Sequence, residues 1–304
     1  MNPAPIEVQD LRFAYAREPV LDGVSLRIPQ GSLCAIVGRN GGGKSTLLKL
    51  IAGILAPPRG VITTLGLDPR RDGPRIRARI GYVADALDVP DWMRVKDYFR
   101  FIAPFHPRWD RSEEARLRAR AQLDPNARIA ALSRGVKARV ALIAALAHRP
   151  ELLLLDEPFA GFDASVRAEV LDALLAHDGP RSRTIVFVSH STADVERLAD
   201  HVVVLDGGRV AFHGETDELQ RRFARVVVRL RHDEARFEPP HGVLCERSGD
   251  VVALRYRDFD ERAEAWLAHH ELVASFEVRR RALDEVVRAC IEAPKPEVSS
   301  CVAS

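Results

Sequence analysis

Gly38, Arg39, Asn40, Gly41, Gly42, Gly43, Lys44, Ser45 and Thr46 follow the spacing G-x-x-x-x-G-K-S-T. Glycines let successive backbone N–H groups turn inward around phosphate oxygens, and a helix that opens at the lysine adds the favourable end of its dipole. In that arrangement the Lys44 ammonium reaches β- and γ-phosphates while the Ser45 hydroxyl sits on Mg²⁺. Only five of the 45 basic residues are lysines, so this one stands out. The run Leu152-Leu-Leu-Leu-Asp156-Glu157-Pro158 adds two carboxylates. Asp156 ends an apolar strand, where it can hold Mg²⁺, and Glu157 is placed to orient or deprotonate an attacking water. The bland reading of Glu157 is a solvated strand end. His190 follows a third apolar run, where it can hydrogen-bond a γ-phosphate or serve a structural role.

These groups need elements to bring them together. Leu33–Val37, Leu152–Leu155 and Thr184–Val188 are short continuous apolar runs, the pattern of strands buried on both faces of a parallel sheet. If the three are parallel, the glycine-rich loop, Asp156-Glu157 and Ser189-His190 converge at the sheet's C-terminal edge, where such folds bind ligands. The expected fold class is therefore α/β, with a P-loop nucleotide-binding core. An Arg-rich, mostly helical stretch at about 70–150, broken by Pro90, Pro104 and Pro107, reads as an inserted helical subdomain. After Gly214 the pattern changes to a small C-terminal α+β appendix. Strands are expected at Arg222–Leu230, Gly242–Glu246, Val251–Tyr256 and Val273–Val278, with helices at Asp260–His269 and Leu283–Ile291. The expected domains are 1–218 and 219–293, followed by a disordered tail at 294–304.

Composition limits the alternatives. The chain has 304 residues and a net charge of +2, so bulk charge argues for no nucleic-acid partner. Cys34, Cys245, Cys290 and Cys301 show no CxxC or metal-ligand spacing. The N-terminus lacks a signal pattern, and no apolar run approaches the ~20 residues of a membrane span. A soluble, cytoplasmic chain is expected.

Further motifs in order make the sequence resemble one family, the ATP-binding subunits of ATP-binding cassette (ABC) transporters, over about residues 5–215. Leu132-Ser133-Arg134-Gly135 resembles the family signature, Gly161-Phe162-Asp163 the loop after the second carboxylate motif, and His190 the switch histidine. Tyr15 resembles the aromatic residue that stacks on adenine; its alternative is an exposed strand tyrosine. The resemblance implies ATP and Mg²⁺ as cofactors, and ATP hydrolysis with Glu157 as the base and His190 and Lys44 on the γ-phosphate. It also implies an integral membrane permease as partner and a location on the cytoplasmic face of the membrane. Two cassettes, alike or related, are expected to pair head-to-tail, so that Ser133 and Gly135 contact the nucleotide of the partner. Asp163 belongs to the same expected site.

Two departures from the family pattern stand out. Asp85 occupies the place of a glutamine, and Arg134 and Val136 replace a glycine and a glutamine of the signature. Asp85 can bind Mg²⁺, but it brings negative charge beside a triphosphate. Arg134 adds a cation near the γ-phosphate or points to solvent. The substituted signature resembles exporter-type cassettes. The aromatic stretch Phe101–Trp109 lies where the family meets its permease, or simply packs locally. A soluble cassette ATPase of DNA repair or translation, and a regulatory module that holds ATP without turnover, remain as alternatives.

Overall fold

The computed structural model describes residues 4–87, 89–159, 167, 183–232, 237–240 and 243–291. The expected Gly161-Phe162-Asp163 loop and the 294–304 tail lie outside the described residues. The chain divides into two compact units, Met1–Val210 and Ala211–Ser304.

A six-stranded sheet carries the first unit, its last strand running past the boundary at Val210. Its strands are β3 (Leu33–Gly38), β5 (Ile80–Val83), β6 (Leu152–Asp156), β7 (Thr184–Val188), β8 (His201–Asp206) and β9 (Arg209–Glu215), in the spatial order β5-β6-β7-β3-β8-β9. The three apolar runs are adjacent and parallel: Leu154 pairs with Val186, and Val186 with Cys34. All five residues of β6 and all five of β7 are buried, as continuous Leu, Ile and Val runs demand.

A second, antiparallel sheet falls outside the expected pattern. It comprises β1 (Ile6–Tyr15), β2 (Glu18–Ile28) and β4 (Arg59–Thr64), in the order β2-β1-β4. Its signal is the alternation Val24, Leu26, Ile28, all buried, against exposed Ser25 and Arg27. Helix α1 (Lys44–Ile51) shares one core with both sheets: its Leu47, Leu48, Leu50 and Ile51 are fully buried there with Ile6, Leu21, Ile36 and Val186. That burial fixes the helix axis, and the helix start decides where the glycine loop opens.

Between β4 and β6 run α2 (Pro69–Arg77), α3 (Val95–Ile102), α4 (Arg111–Arg120) and α5 (Arg134–Leu146), and α6 (Thr192–Leu198) precedes β8. Strand β5 lies inside the mostly helical stretch, where the Ile80–Val83 segment ahead of Asp85 reads as a strand, and it pairs with β6 through Ile80 and Leu152. A methyl group at Gly81 would lie 2.5 Å from the Ala145 carbonyl oxygen.

The second unit holds β10 (Arg225–Leu230), β11 (Leu244–Ser248), β12 (Val251–Arg255) and β13 (Val273–Arg279), with α7 (Thr216–Arg222), α8 (Glu261–His269) and α9 (Leu283–Ile291). The four strands are ordered β11-β12-β10-β13, antiparallel throughout. Val226, Val228, Val252, Leu254, Leu267 and Phe237 form the unit's own core.

His148, just past the end of α5, is 1% exposed and its Nε2 lies 3.0 Å from the Ile80 carbonyl oxygen. Its ring stacks on His106 at 4.0 Å. Burial, reinforced by His106, pulls its pKa down to about 4. The folded state therefore holds His148 neutral, while the unfolded chain protonates it below about pH 6.5. Stability from this group is complete above that pH and is lost as pH falls toward 4. Between pH 7 and pH 5, wild type is expected to lose about 2 kcal/mol more than His148→Gln, because each pH unit below the unfolded-state value favours the protonated, unfolded chain by ~1.36 kcal/mol. Urea unfolding of both proteins at the two pH values checks this; equal losses would mean that the imidazole is not held neutral.

Candidate functional site

The site assembles at the C-terminal edge of the parallel sheet. Strand β3 ends at Gly38, whose φ of 142° is open to glycine alone. A Cβ there would sit 1.9 Å from the Leu205 carbonyl oxygen of neighbouring β8. Gly43 caps α1 at φ 90°, with Leu21 Cδ2 2.6 Å from where a Cβ would lie. Loop and helix are thus pinned at two points, against β8 and against β2, while Arg39, Asn40 and Gly41 stay exposed. Arg39 Nε is 3.8 Å from Asp206 Oδ1. Thr46 is buried in the first turn of α1.

Lys44 folds back across the loop, donating to the carbonyl oxygens of Gly38 at 3.0 Å and Arg39 at 2.8 Å. Burial lowers its pKa, against the pull of Glu157 and Asp156. The Ser45 hydroxyl donates to Asp156 Oδ1 at 3.0 Å, so the helix start and the end of β6 meet directly. Asp156 is 4% exposed, and burial raises its pKa despite the Ser45 hydrogen bond. A hydroxyl and a carboxylate at this spacing are hard oxygen donors suited to Mg²⁺. Among the described residues no group of three or more His, Cys, Asp or Glu forms a metal site of its own. Mg²⁺ is commonly held by one or two such protein oxygens together with substrate phosphates.

Glu157 adopts φ 51°, an unusual backbone for a residue other than glycine, and its N–H donates to the Val188 carbonyl oxygen at 3.2 Å. This bend lifts the carboxyl off the strand line and ties β6 to the end of β7. Burial pushes the Glu157 pKa up to about 7, offset in part by the His190 backbone N–H. That range suits a base working near neutral pH. His190 Nε2 stands 3.2 Å from Glu157 Oε1, within ion-pair distance but without hydrogen-bond alignment. Burial and the nearby Lys44 hold the imidazole's pKa down.

The structure thus brings Gly38, Lys44, Ser45, Asp156, Glu157 and His190 together from three strands. Tyr15 lies at the end of β1, 46% exposed, its ring edge-on to Phe13 at 5.0 Å. Ser133 and Gly135 flank Arg134 at the start of α5, where Ser133 caps the helix by accepting from the Val136 N–H. Asp163 lies outside the described residues. Arg134 does not simply point to solvent: its guanidinium pairs with Asp85 at 2.9 Å. Sequence reading missed that pair, and also Lys137 with Asp91 at 2.6 Å. Opposite charges 49 and 46 positions apart carry no local signal.

The aromatic stretch divides in two. Trp109 packs toward Phe99 and His106, whereas Phe101 and Phe105 are 53% and 66% exposed. Phe105 also borders a cleft of about 560 Å³ lined by Tyr82, Tyr98, Ile102 and His148.

Similarity to known proteins follows the same residues. The family model described as ABC transporter matches residues 21–160. A nickel import ATP-binding protein NikO of Rhodobacter capsulatus is 38% identical over 240 residues, covering 74% of this chain and 94% of that protein. A sulfate/thiosulfate import ATP-binding protein CysA of Bradyrhizobium diazoefficiens is 37% identical, covering 73% of this chain and 67% of its own. Nod factor export ATP-binding protein I of Rhizobium meliloti is 31% identical, covering 81% and 76%. Among solved structures, an ATP-binding subunit of an ABC transporter superposes with a TM-score of 0.65 at 28% identity, over 71% of this chain and 92% of that one.

The contact of Gly38 with Leu205 yields a prediction. Gly38→Ala forces a methyl group into a backbone carbonyl and should cost roughly 2–4 kcal/mol while displacing the loop. Thermal unfolding and nucleotide binding check it; unchanged stability and binding would mean that β3 and β8 are not held this closely.

Proposed function

The chain belongs to the ATP-binding subunits of ABC transporters, and on that premise we propose that it hydrolyses MgATP at the edge of the β3-β7-β6 sheet to drive a membrane permease. The observation that carries the reading is the Ser45–Asp156 contact at 3.0 Å, with Glu157 next in sequence and His190 at 3.2 Å. The nucleotide supplies the phosphoanhydride, and Mg²⁺ the counter-charge that offsets developing negative charge. Lys44 exchanges its two carbonyl partners for phosphate oxygens. Ser45 and Asp156 hold the cation. Glu157 accepts the proton of the attacking water, and His190 hydrogen-bonds the γ-phosphate beside it. Tyr15 is assigned to the adenine, and the loop residues from Gly38 to Thr46 to the phosphates.

Ser133, Gly135 and Asp163 are assigned to the nucleotide of a second cassette, alike or related, so that ATP joins the two and hydrolysis releases them. No helix among the described residues is long and apolar enough to cross a membrane. In this reading the chain lies on the cytoplasmic face, bound to a separate permease, with Phe101 and Phe105 toward that partner. Residues 1–218 form the ATP-binding domain and 219–293 an accessory domain. The relatives are named for import as well as for export. The Leu132-Ser133-Arg134-Gly135 segment supports export, as the finer part of the proposal.

Glu157→Gln keeps size and hydrogen-bonding capacity but removes the base, so turnover should fall by about 10²–10⁴-fold while ATP binding survives. Size-exclusion chromatography with MgATP should then show a dimer. A monomeric variant hydrolysing at the wild-type rate would overturn the role of Glu157. Lys44→Ala removes the cation of the loop and should weaken ATP binding by about tenfold or more. Calorimetric titration decides, and unchanged affinity would remove Lys44 from the phosphate site.

A further inference from the structure

Seven of the nine described α-helices carry an aspartate or glutamate in their first turn, the favourable arrangement for the helix dipole. The two exceptions are α1, which opens the phosphate loop, and α5. Helix α5 goes further, because Arg134 and Lys137 place two cations at its positive end. Their counter-charges come from two aspartates that follow β5: Asp85 pairs with Arg134 at 2.9 Å and Asp91 with Lys137 at 2.6 Å. Asp85 is also close to the reaction site. It shares with Arg134, Asp156 and Glu157 the wall of a small cleft of about 20 Å³. Its charge adds to the burial that raises Asp156 and Glu157. Three carboxylates therefore crowd the place assigned to a triphosphate, and a single arginine offsets the third.

We propose that Asp85 and Arg134 are a matched positioning pair: Arg134 neutralises Asp85 beside Asp156 and Glu157, and the pair holds the first turn of α5 to the end of β5. The proposal rests on the ATPase reading above. The pair is exposed, with the Arg134 and Asp85 side chains 63% and 53% accessible, so it contributes little to folding stability. Its role lies in the charge and placement that nucleotide meets.

The test is a double-mutant cycle on the full chain, measuring ATPase rate against ATP concentration with melting temperature alongside. Arg134→Gly leaves Asp85 unbalanced and should raise KM for ATP about five- to tenfold, with kcat within about twofold. Asp85→Gln in that background should bring KM back to within about twofold of wild type, as charge removal on both sides restores the balance. The swapped pair Asp85→Arg with Arg134→Asp should recover more activity than either swap alone. Melting temperatures should stay close to wild type in all of them. A double variant no better than Arg134→Gly would overturn the proposal, as would single variants that melt early with KM unchanged. A wild-type chain without ATPase activity would instead strike the reading on which the proposal rests.

Discussion

Burial of β3, β6 and β7 on both faces is the constraint from which the site follows. A strand covered on both sides cannot carry charge along its length, because an ion removed from water without a partner costs far more than one contact returns. Polar chemistry is then confined to the strand ends. In this chain the ends supply a glycine loop, two carboxylates and a histidine at one edge. The Ser45–Asp156 hydrogen bond joins the first of these to the second. The Glu157 N–H to the Val188 carbonyl oxygen joins the second to the third.

The close approach of Gly38 to Leu205 extends the same logic to the backbone. Pressing the end of β3 onto β8 frees the following residues to turn, and the buried face of α1 sets where the turn must stop. Leu47, Leu48, Leu50 and Ile51 position the helix start as firmly as Gly43 does. Loop geometry is therefore a consequence of core packing some distance from it. The folded-back Lys44 spans the loop through two carbonyl oxygens, keeping a partly buried ammonium hydrogen-bonded within it.

Electrostatics sets two of the described helices apart from the other seven. Helix α4 shows the ordinary distribution, with Glu113 and Glu114 in its first turn and Arg118 and Arg120 in its last. Helices α1 and α5 give up that local stabilisation, with Lys44 at the start of one and Arg134 and Lys137 at the start of the other. For α1 the compensation comes from backbone carbonyls and the nearby carboxylates; for α5 it comes from Asp85 and Asp91.

Much of this is legible in the residues. The glycine–lysine–serine spacing, the Leu-rich run into Asp156-Glu157 and the apolar run before Ser189-His190 specify their own local structure. A short, continuous apolar run rich in Leu, Ile and Val is best satisfied as a strand buried on both faces. The helices and strands of the second unit are readable for a related reason, because each carries its own periodicity. The three-stranded antiparallel sheet leaves only an alternation in β2, a weaker signal than the motifs on either side of it. Tertiary structure alone decided the rest. It held His148 neutral against His106, and bent Glu157 to φ 51° so that its carboxyl faces His190. It also paired Arg134 with Asp85 across 49 positions. These features depend on neighbours distant in the chain, and short-range spacing holds no record of which distant charge, ring or carbonyl the fold will bring alongside.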